Sequence, residues 1–275
     1  MSTDNPIEDK RRLLEADMSK KKGSLRKIVI IGAGGIGKLV VDIIEECNKA
    51  QEEYDVLGYI VDSQYGSPGT VVYNRPVLGG FDWLAKHAGE VEVICAVGPT
   101  ETRLKLVKQA EVAGARFCNI INPLAYVSPS VTMGVGNIVG AFVAFGPEVR
   151  LGNHVFINHS SAIGEEVTLE DFVTVSPLTN IARACNLATG SFVSVGVTII
   201  DKINVGEWSM IGGGSTIIRD VPPNTTVVGV PGKVIKTREA GWQIRAYDDA
   251  PEKDTNYAVV VPLGQKGSQR PLTPS

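Results

Sequence analysis

Histidines at 87, 154 and 159 are the only three in this chain of 275 residues, so histidine chemistry falls on very few positions. Imidazole titrates near pH 6.5 and exchanges a proton at neutral pH more readily than other side chains. His87 falls within a helical pattern of the front half and reads as solvated, while His154 and His159 lie close together in the second half. The four cysteines, Cys47, Cys95, Cys118 and Cys185, show no pairing or metal-ligand spacing and read as reduced core thiols of a cytoplasmic protein. No serine or cysteine stands in a recognisable nucleophile setting. A second kind of chemistry is offered by the turn Gly32-Ala33-Gly34-Gly35-Ile36-Gly37. Glycines between a strand and a helix let backbone N–H groups approach a phosphate at the helix N-terminus. Tight strand-to-helix packing explains such a turn equally simply. A nicotinamide dinucleotide fits it less well, because Asp62 stands about thirty residues on, where a ribose-binding acid comes at about twenty.

These residues need elements to hold them. The turn follows an apolar strand, Ile28 to Ile31, and precedes an apolar-periodic helix, Lys38 to Lys49. Beyond it the pattern predicts a strand Val56 to Asp62, a helix Phe81 to His87, a strand Val91 to Val97, a helix Glu101 to Ala113 and a strand Arg116 to Ile120. Strands alternating with helices make a parallel sheet covered on its faces, here a short one of about four strands, with ligands at the carboxyl ends of the strands.

From Ile121 onward a different rule takes over. Every sixth residue to Ile217 is bulky and apolar, seventeen in one register, among them Phe145, Ile157, Ile163, Val175, Ile181 and Ile199. With 43% of the chain apolar, chance would give such a run roughly once in a few hundred thousand trials. Four residues beyond each beat stands a second, mostly small residue such as Val143, Ser161, Thr179 or Cys185. Two inward positions per six residues fit a short strand and a bend, and three such units close one triangular coil of a parallel β-helix. A helix is excluded, because a beat of six would smear over every face of a 3.6-residue spiral. The residue after the beat is often glycine (Gly134, Gly140, Gly146, Gly152, Gly164, Gly206, Gly212), as expected if the corner demands backbone angles that a Cβ obstructs. Pro222 and Pro223 mark the exit.

The sequence thus divides into a charged arm over 1–24, a Rossmann-like nucleotide-binding domain over 25–120, a β-helix over 121–236 and an extension over 237–275 with one apolar run, Tyr257 to Leu263. A formal net charge of −3 carries no basic footprint for nucleic acid. No apolar stretch approaches the ~20 residues of a membrane span, and no signal-peptide core opens the chain.

The two halves together resemble one family, the hexapeptide-repeat sugar O- and N-acyltransferases of the sialic-acid O-acetyltransferase type, which include bacterial nucleotide-sugar N-acetyltransferases. The resemblance spans about Lys27 to Lys236. It rests on Ile30-Ile31-Gly32-Ala33-Gly34-Gly35 with Gly37-Lys38, Gly58-Tyr59-Ile60-Val61-Asp62, Ala96-Val97-Gly98 with Arg103, Ile157-Asn158, Ile211-Gly212-Gly213-Gly214-Ser215 and Val228-Gly229-Val230-Pro231-Gly232-Lys233. It implies a left-handed β-helix, an exception to the right-handed crossover rule, and a homotrimer with acetyl-CoA as acyl donor in the groove between neighbouring solenoids. Gly34, Gly35, Ile36, Asp62 and Gly98 would line the nucleotide pocket and Asn158 would face the sugar. Gly196, Gly213, Gly214 and Lys233 would lie along the CoA. No metal is implied.

The chain departs from the family at the chemistry. Where the family places a histidine general base, two residues after a beat, this chain has Glu165. A carboxylate near pKa 4.3 is a feeble base unless its surroundings raise it. Ile36 replaces a frequent histidine of the glycine turn, Thr174 a second solenoid histidine and Arg183 a small glycine near the acyl carbonyl. His159 holds the same phase one strand earlier, so the expectation is that His159 of one subunit serves as base with Glu165 of another orienting it, while Arg183 offers positive charge to the developing oxyanion. Two other readings stand beside this one. One is a trimeric binding or scaffolding homologue with lost or altered chemistry. The other is a carbonic anhydrase-like metal site on His154 and His159, for which the expected third histidine has no counterpart near Cys118 and Asn119.

Overall fold

The structure, a computed structural model, describes residues 25–243. The expected N-terminal arm and the Tyr257 to Leu263 run lie outside the described residues.

The front part is an α/β unit. Strand β1 (Arg26–Ile31) leads through the glycine turn into helix α1 (Gly35–Ala50), whose buried residues Gly37, Val40, Val41 and Ile44 recur every three or four positions. Strand β2 (Tyr54–Ile60), the hairpin β3 (Val71–Val72) and β4 (Arg75–Gly79), helix α2 (Phe81–His87), strand β5 (Glu92–Cys95) and helix α3 (Thr100–Val112) follow. The strand order is β3-β4-β2-β1-β5, parallel except for the hairpin. Two features differ from the sequence expectation. The β3–β4 hairpin adds strands that the pattern did not reveal, because its turn residues Tyr73 and Asn74, both at positive φ, lack the Asn-Gly signal that usually marks such a turn. Over 116–120 the expected strand reduces to one isolated bridge, Phe117 beside Val93, and Ile120 already pairs with Ile138 in the first coil.

From β6 (Ile120–Ile121) to β22 (Thr216–Ile217) runs a left-handed parallel β-helix. Each strand is two residues long and ends on an apolar beat, and each pairs with the strand one coil away, as Ile163 does with Phe145 and Ile181. The strands sort into three faces. The first contains β6, β9 (Ile138–Val139), β12 (Phe156–Ile157), β15 (Thr174–Val175), β18 (Phe192–Val193) and β21 (Met210–Ile211). The second runs from β7 (Tyr126–Val127) through β10 (Ala144–Phe145), β13 (Ala162–Ile163), β16 (Asn180–Ile181) and β19 (Thr198–Ile199) to β22, and the third runs from β8 (Thr132–Met133) to β20 (Asn204–Val205). Beat residues and the small residues four beyond them fill one continuous core, including Phe145, Val167, Val193 and Cys185. At the open N-terminal end the beats Ile121, Val127 and Met133 are only partly buried, as a stack without a lower neighbour requires. At the other end the hairpin β23 (Thr225–Val228) and β24 (Lys233–Thr237) continues the first face.

The glycines after the beats serve a different purpose from the expected one. None of them has positive φ; a Cβ there would instead strike the backbone of the next coil, 2.7 Å from His159 N at Gly140 and 2.7 Å from Glu165 N at Gly146. The left-handed backbone falls two residues later, on Phe142, Glu148, His154, Ser160, Glu166, Phe172 and Leu178. Close stacking of corners, not corner dihedrals, selects glycine after the beat.

The α/β unit sits on the first face. Helix α1 packs there through Val40, Val41 and Ile44, in one cluster with Ile120, Ile138 and Phe156. Phe172, from the edge where the third face turns into the first, joins the cluster of Leu84, Val93 and Val107.

Candidate functional site

At the carboxyl ends of β1, β2 and β5 the structure brings together Gly34, Gly35, Ile36, Asp62 and Gly98. Ile31 O accepts from Ala96 N at 2.8 Å and Ile60 O from Gly32 N at 3.0 Å, so the three strand ends lie side by side. Gly37 is buried, and only glycine fits there because a Cβ would strike Gly32 O; Gly98 faces the Ile36 Cδ1 methyl, 3.2 Å from where its own Cβ would stand. Gly34 caps α1 without a side-chain hydrogen bond, and the first turn carries no acidic residue. Its N–H groups therefore point outward at the positive end of the helix dipole, a ready seat for a phosphate. Asp62 is exposed and accepts from Gln64 N at 3.2 Å to start a short turn, Ser63–Tyr65.

The edge between the first and second faces stacks Asn158, His159, Gly196, Gly213 and Gly214. Gly196 and Gly214 adopt positive φ, +66° and +68°, and a Cβ on Gly213 would lie 3.2 Å from Val195 O. His159 is exposed and its Nδ1 lies 2.8 Å from Asn158 Oδ1. That oxygen also accepts the His159 backbone N–H at 2.8 Å, which identifies it as the carbonyl end of the amide. Nδ1 therefore carries the proton and donates, leaving the Nε2 lone pair free to accept one. The orienting partner within the chain is thus Asn158, which sequence reasoning had set aside for the sugar.

The second face carries a groove of about 710 Å³, lined by Tyr126, Ala144, Ala162, Glu165, Thr198 and Asp201 among others. Glu165 and Arg183 lie along its far edge, where the second face turns into the third. Charges alternate coil by coil there, Glu165, Arg183, Asp201, Arg219, held in register by bonds such as Ala184 N to Glu165 O and Lys202 N to Arg183 O, both 2.9 Å. Successive rungs are about 4.8 Å apart, and none of these charges closes an ion pair among the described residues. Lys233 is exposed on β24, next to Gly232, whose N–H donates to Thr216 O on the last strand of the second face at 2.8 Å.

His154 and His159 do not converge, since they flank β12 at opposite edges. His154 is 4% exposed, stacked on Phe172 at 5.1 Å and edge-on to Phe117 at 4.5 Å. Among the described residues no group of three His, Cys, Asp or Glu side chains is placed to hold a metal ion, and no helix is long and apolar enough to cross a membrane. Burial, reinforced by the nearby Arg103 charge, lowers the His154 pKa to about 4. Its neutral form is thus favoured in the folded state, so this contribution to stability is full above pH ~6.5 and is lost as pH falls toward 4. Denaturant titrations at pH 7.5 and 4.5 are expected to show His154→Phe losing less stability than the parent on acidification, by on the order of 2 kcal/mol. Phenylalanine suits the site, because Phe142 and Phe172 already occupy equivalent left-handed corners. Equal losses in the two proteins would refute this assignment.

A family profile described as the PglD N-terminal domain matches residues 27–110. Perosamine N-acetyltransferase from Caulobacter crescentus, solved with CoA and GDP-perosamine, is similar at 27% identity, covering 78% of this chain and 98% of that one, with a TM-score of 0.71. The acetyltransferase domain of PglB from Neisseria gonorrhoeae, solved with acetyl coenzyme A, is 26% identical over 77% of this chain and 100% of that one, TM-score 0.70. WeeI from Acinetobacter baumannii shares the fold at 21% identity and a TM-score of 0.68, over 76% of this chain and 100% of that one. An uncharacterised protein, L142, of Acanthamoeba polyphaga mimivirus is 30% identical over 113 residues, 41% of this chain, which matches 21% of that relative's length. A Rossmann-like unit seated on one face of a β-helix defines the class. The chain shares that arrangement with the perosamine N-acetyltransferase and with the acetyltransferase domain of PglB, and its front unit matches the PglD N-terminal domain.

Proposed function

We propose that this protein transfers an acetyl group from acetyl-CoA to a nucleotide-linked amino sugar, working as a cytoplasmic homotrimer. The observation that carries the reading is the position of His159. It stands on the edge between the face that bears the α/β unit and the face that bears the groove, with Nδ1–H held by Asn158 and Nε2 open. A nucleotide with its phosphates on the α1 N-terminus, against Gly34, Gly35, Ile36 and Gly98 and with Asp62 at the rim, extends its sugar toward this edge. Acetyl-CoA lies along the groove past Gly196, Gly213 and Gly214, with Lys233 near its far end. The two similar structures that hold CoA or acetyl-CoA support this donor, and GDP-perosamine in one of them supports a nucleotide-linked acceptor.

In this reading the acceptor amine attacks the thioester carbonyl directly, His159 Nε2 takes its proton, and the Arg183 charge stabilises the oxyanion as it forms; collapse of the tetrahedral adduct then breaks the C–S bond, and the CoA thiolate leaves with the proton returned by His159. Because Asn158 already fixes the imidazole, Glu165 of the adjoining subunit is released from orienting it. Its carboxylate instead stabilises the imidazolium by charge. The family base is therefore replaced from a neighbouring edge, and the free cysteines remain structural.

The test is incubation with acetyl-CoA and a panel of GDP-, UDP- and dTDP-linked amino sugars while free thiol is followed. Thiol release that depends on one of these sugars is expected, and His159→Ala is expected to slow it by about 10²-fold. Undiminished transfer by that variant removes His159 from the mechanism. No transfer across the panel removes the acetyltransferase reading.

A further inference from the structure

Arg103, 1% exposed, is the largest fully buried polar side chain among the described residues. It lies on the buried stripe of α3 with Thr100, Val107 and Ala110. Among the described residues no carboxylate forms an ion pair with it, and Glu101 acts on it only through its charge at a distance. Four of its donors are used instead, divided equally between the two halves of the molecule. Nη1 donates to Val97 O at 3.0 Å and Gly98 O at 3.1 Å, in the loop that ends β5. Nη2 donates to Phe172 O at 2.9 Å and Thr174 Oγ1 at 2.7 Å, in the solenoid. Thr174 Oγ1 also lies 3.3 Å from Thr100 Oγ1. A buried guanidinium without a directly paired carboxylate is costly to place, and burial lowers its pKa to about 10, still leaving it charged at neutral pH.

A planar fork with donors at both ends is suited to fixing two backbones at a set distance, which a lysine could not do. The two sites it joins are also telling. Gly98 walls the glycine turn through Ile36, and a Cβ on Gly32 would stand 2.8 Å from Val97 Cγ2. Thr174 is one coil above Phe156, whose strand leads directly into Asn158 and His159, and β15 leads into the same edge one rung on. The bridge therefore runs from the floor of the nucleotide turn to the coils that present His159.

We propose that Arg103 is a positioning residue that sets the offset between the nucleotide pocket and the His159 edge, so that a sugar anchored in one half arrives in register at the other. The inference rests on the acetyltransferase reading. It adds a coupling between the two halves that neither binding surface contains alone.

The experiment uses the full-length protein and three variants, Thr174→Val, Thr174→Ser and Arg103→Lys, all carried through thermal unfolding first. Affinities for UDP, GDP and CoA, each alone, are measured by calorimetry. Transfer is measured with the panel sugar that the parent accepts. Thr174→Val cuts only the solenoid end of the bridge, so its affinities are expected to stay within twofold of the parent while kcat falls at least tenfold. Thr174→Ser restores the hydroxyl and is expected to recover kcat to within threefold. Arg103→Lys also releases the Val97–Gly98 loop and is expected to weaken nucleoside diphosphate binding severalfold as well. Parental kcat in Thr174→Val overturns the proposal, as does a parallel loss of CoA affinity and melting temperature that serine does not rescue.

A second readout needs no turnover. Hydrogen exchange with saturating UDP or GDP is expected to show protection at Val97 and Gly98 that spreads to 172–176 in the parent and stops at the loop in Thr174→Val. Protection confined to the loop in both proteins overturns the Arg103 proposal and leaves the nucleotide reading intact. No protection in the parent from either diphosphate overturns both.

Discussion

On the proposed trimeric acetyltransferase, mixed trimers assembled from His159→Ala and Glu165→Gln subunits are expected to regain about one quarter of parental transfer activity, although each variant alone is expected to fall about 10²-fold. The expectation follows from where the two residues sit. His159 lies on the edge that enters β13 and Glu165 on the edge that leaves it, so within one chain the second face separates them. If each active site draws His159 from one protomer and Glu165 from the next, a site is whole only when a Glu165→Gln protomer precedes a His159→Ala protomer. In a random equal mixture that happens at about one site in four. Glutamine keeps the shape of glutamate and removes its charge, so the loss in that variant measures the carboxylate's hold on the imidazolium. The measurement is thiol release after the two proteins are unfolded, mixed and refolded together. A mixture no more active than its parts would place both residues in one protomer's site, or Glu165 outside the chemistry.

Much of the fold was legible because it repeats. A solenoid writes the same instruction at every sixth position, so Val139, Phe145, Leu151 and their successors reinforce one another and the strands fall where the beats do. The α/β unit was readable through the alternation of Ile28–Ile31 with the Gly37, Val40, Val41, Ile44 stripe. What escaped depended on contacts between residues remote in sequence. The hairpin turn at Tyr73 and Asn74 holds strained backbone angles that its residues do not advertise. The glycines after the beats were recognised, but their reason, the approach of the next coil, exists only once coils stack. The site followed the same division. The glycine turn and the His159 phase are local patterns and could be picked out. Asn158 as the partner of His159 Nδ1 is adjacent in sequence, yet many geometries of an Asn-His pair make no such bond, and only the corner's backbone selects this one. Arg103 was visible as part of a motif, but its reach across sixty-nine and seventy-one residues to Phe172 and Thr174 was not.

Phe145→Ala is expected to destabilise the protein by about 3–5 kcal/mol, the range for truncating a fully buried aromatic side chain. Phe145 has no exposed surface and lies one coil in from the open end of the second face, paired with Val127 below and Ile163 above. Its neighbours cannot close the resulting void, because each rung is pinned by backbone bonds to the next, such as Ala144 N to Ser161 O at 3.0 Å and Gly146 N to Ile163 O at 2.8 Å. The contrast with Val127→Ala sharpens the argument. Val127 belongs to the same column but is only half-buried at the open end, so about 1 kcal/mol is expected there. Since stability in a stack of coils is nearly a sum of neighbour terms, the interior truncation weakens two coil interfaces and the terminal one weakens a single, partly wet interface. Urea unfolding followed by circular dichroism gives both values, and hydrogen exchange locates them. Faster exchange should spread from Phe145 into the coils on either side, but only upward from Val127. Equal costs for the two changes would mean that the solenoid does not add its stability coil by coil and that its open end is covered in solution.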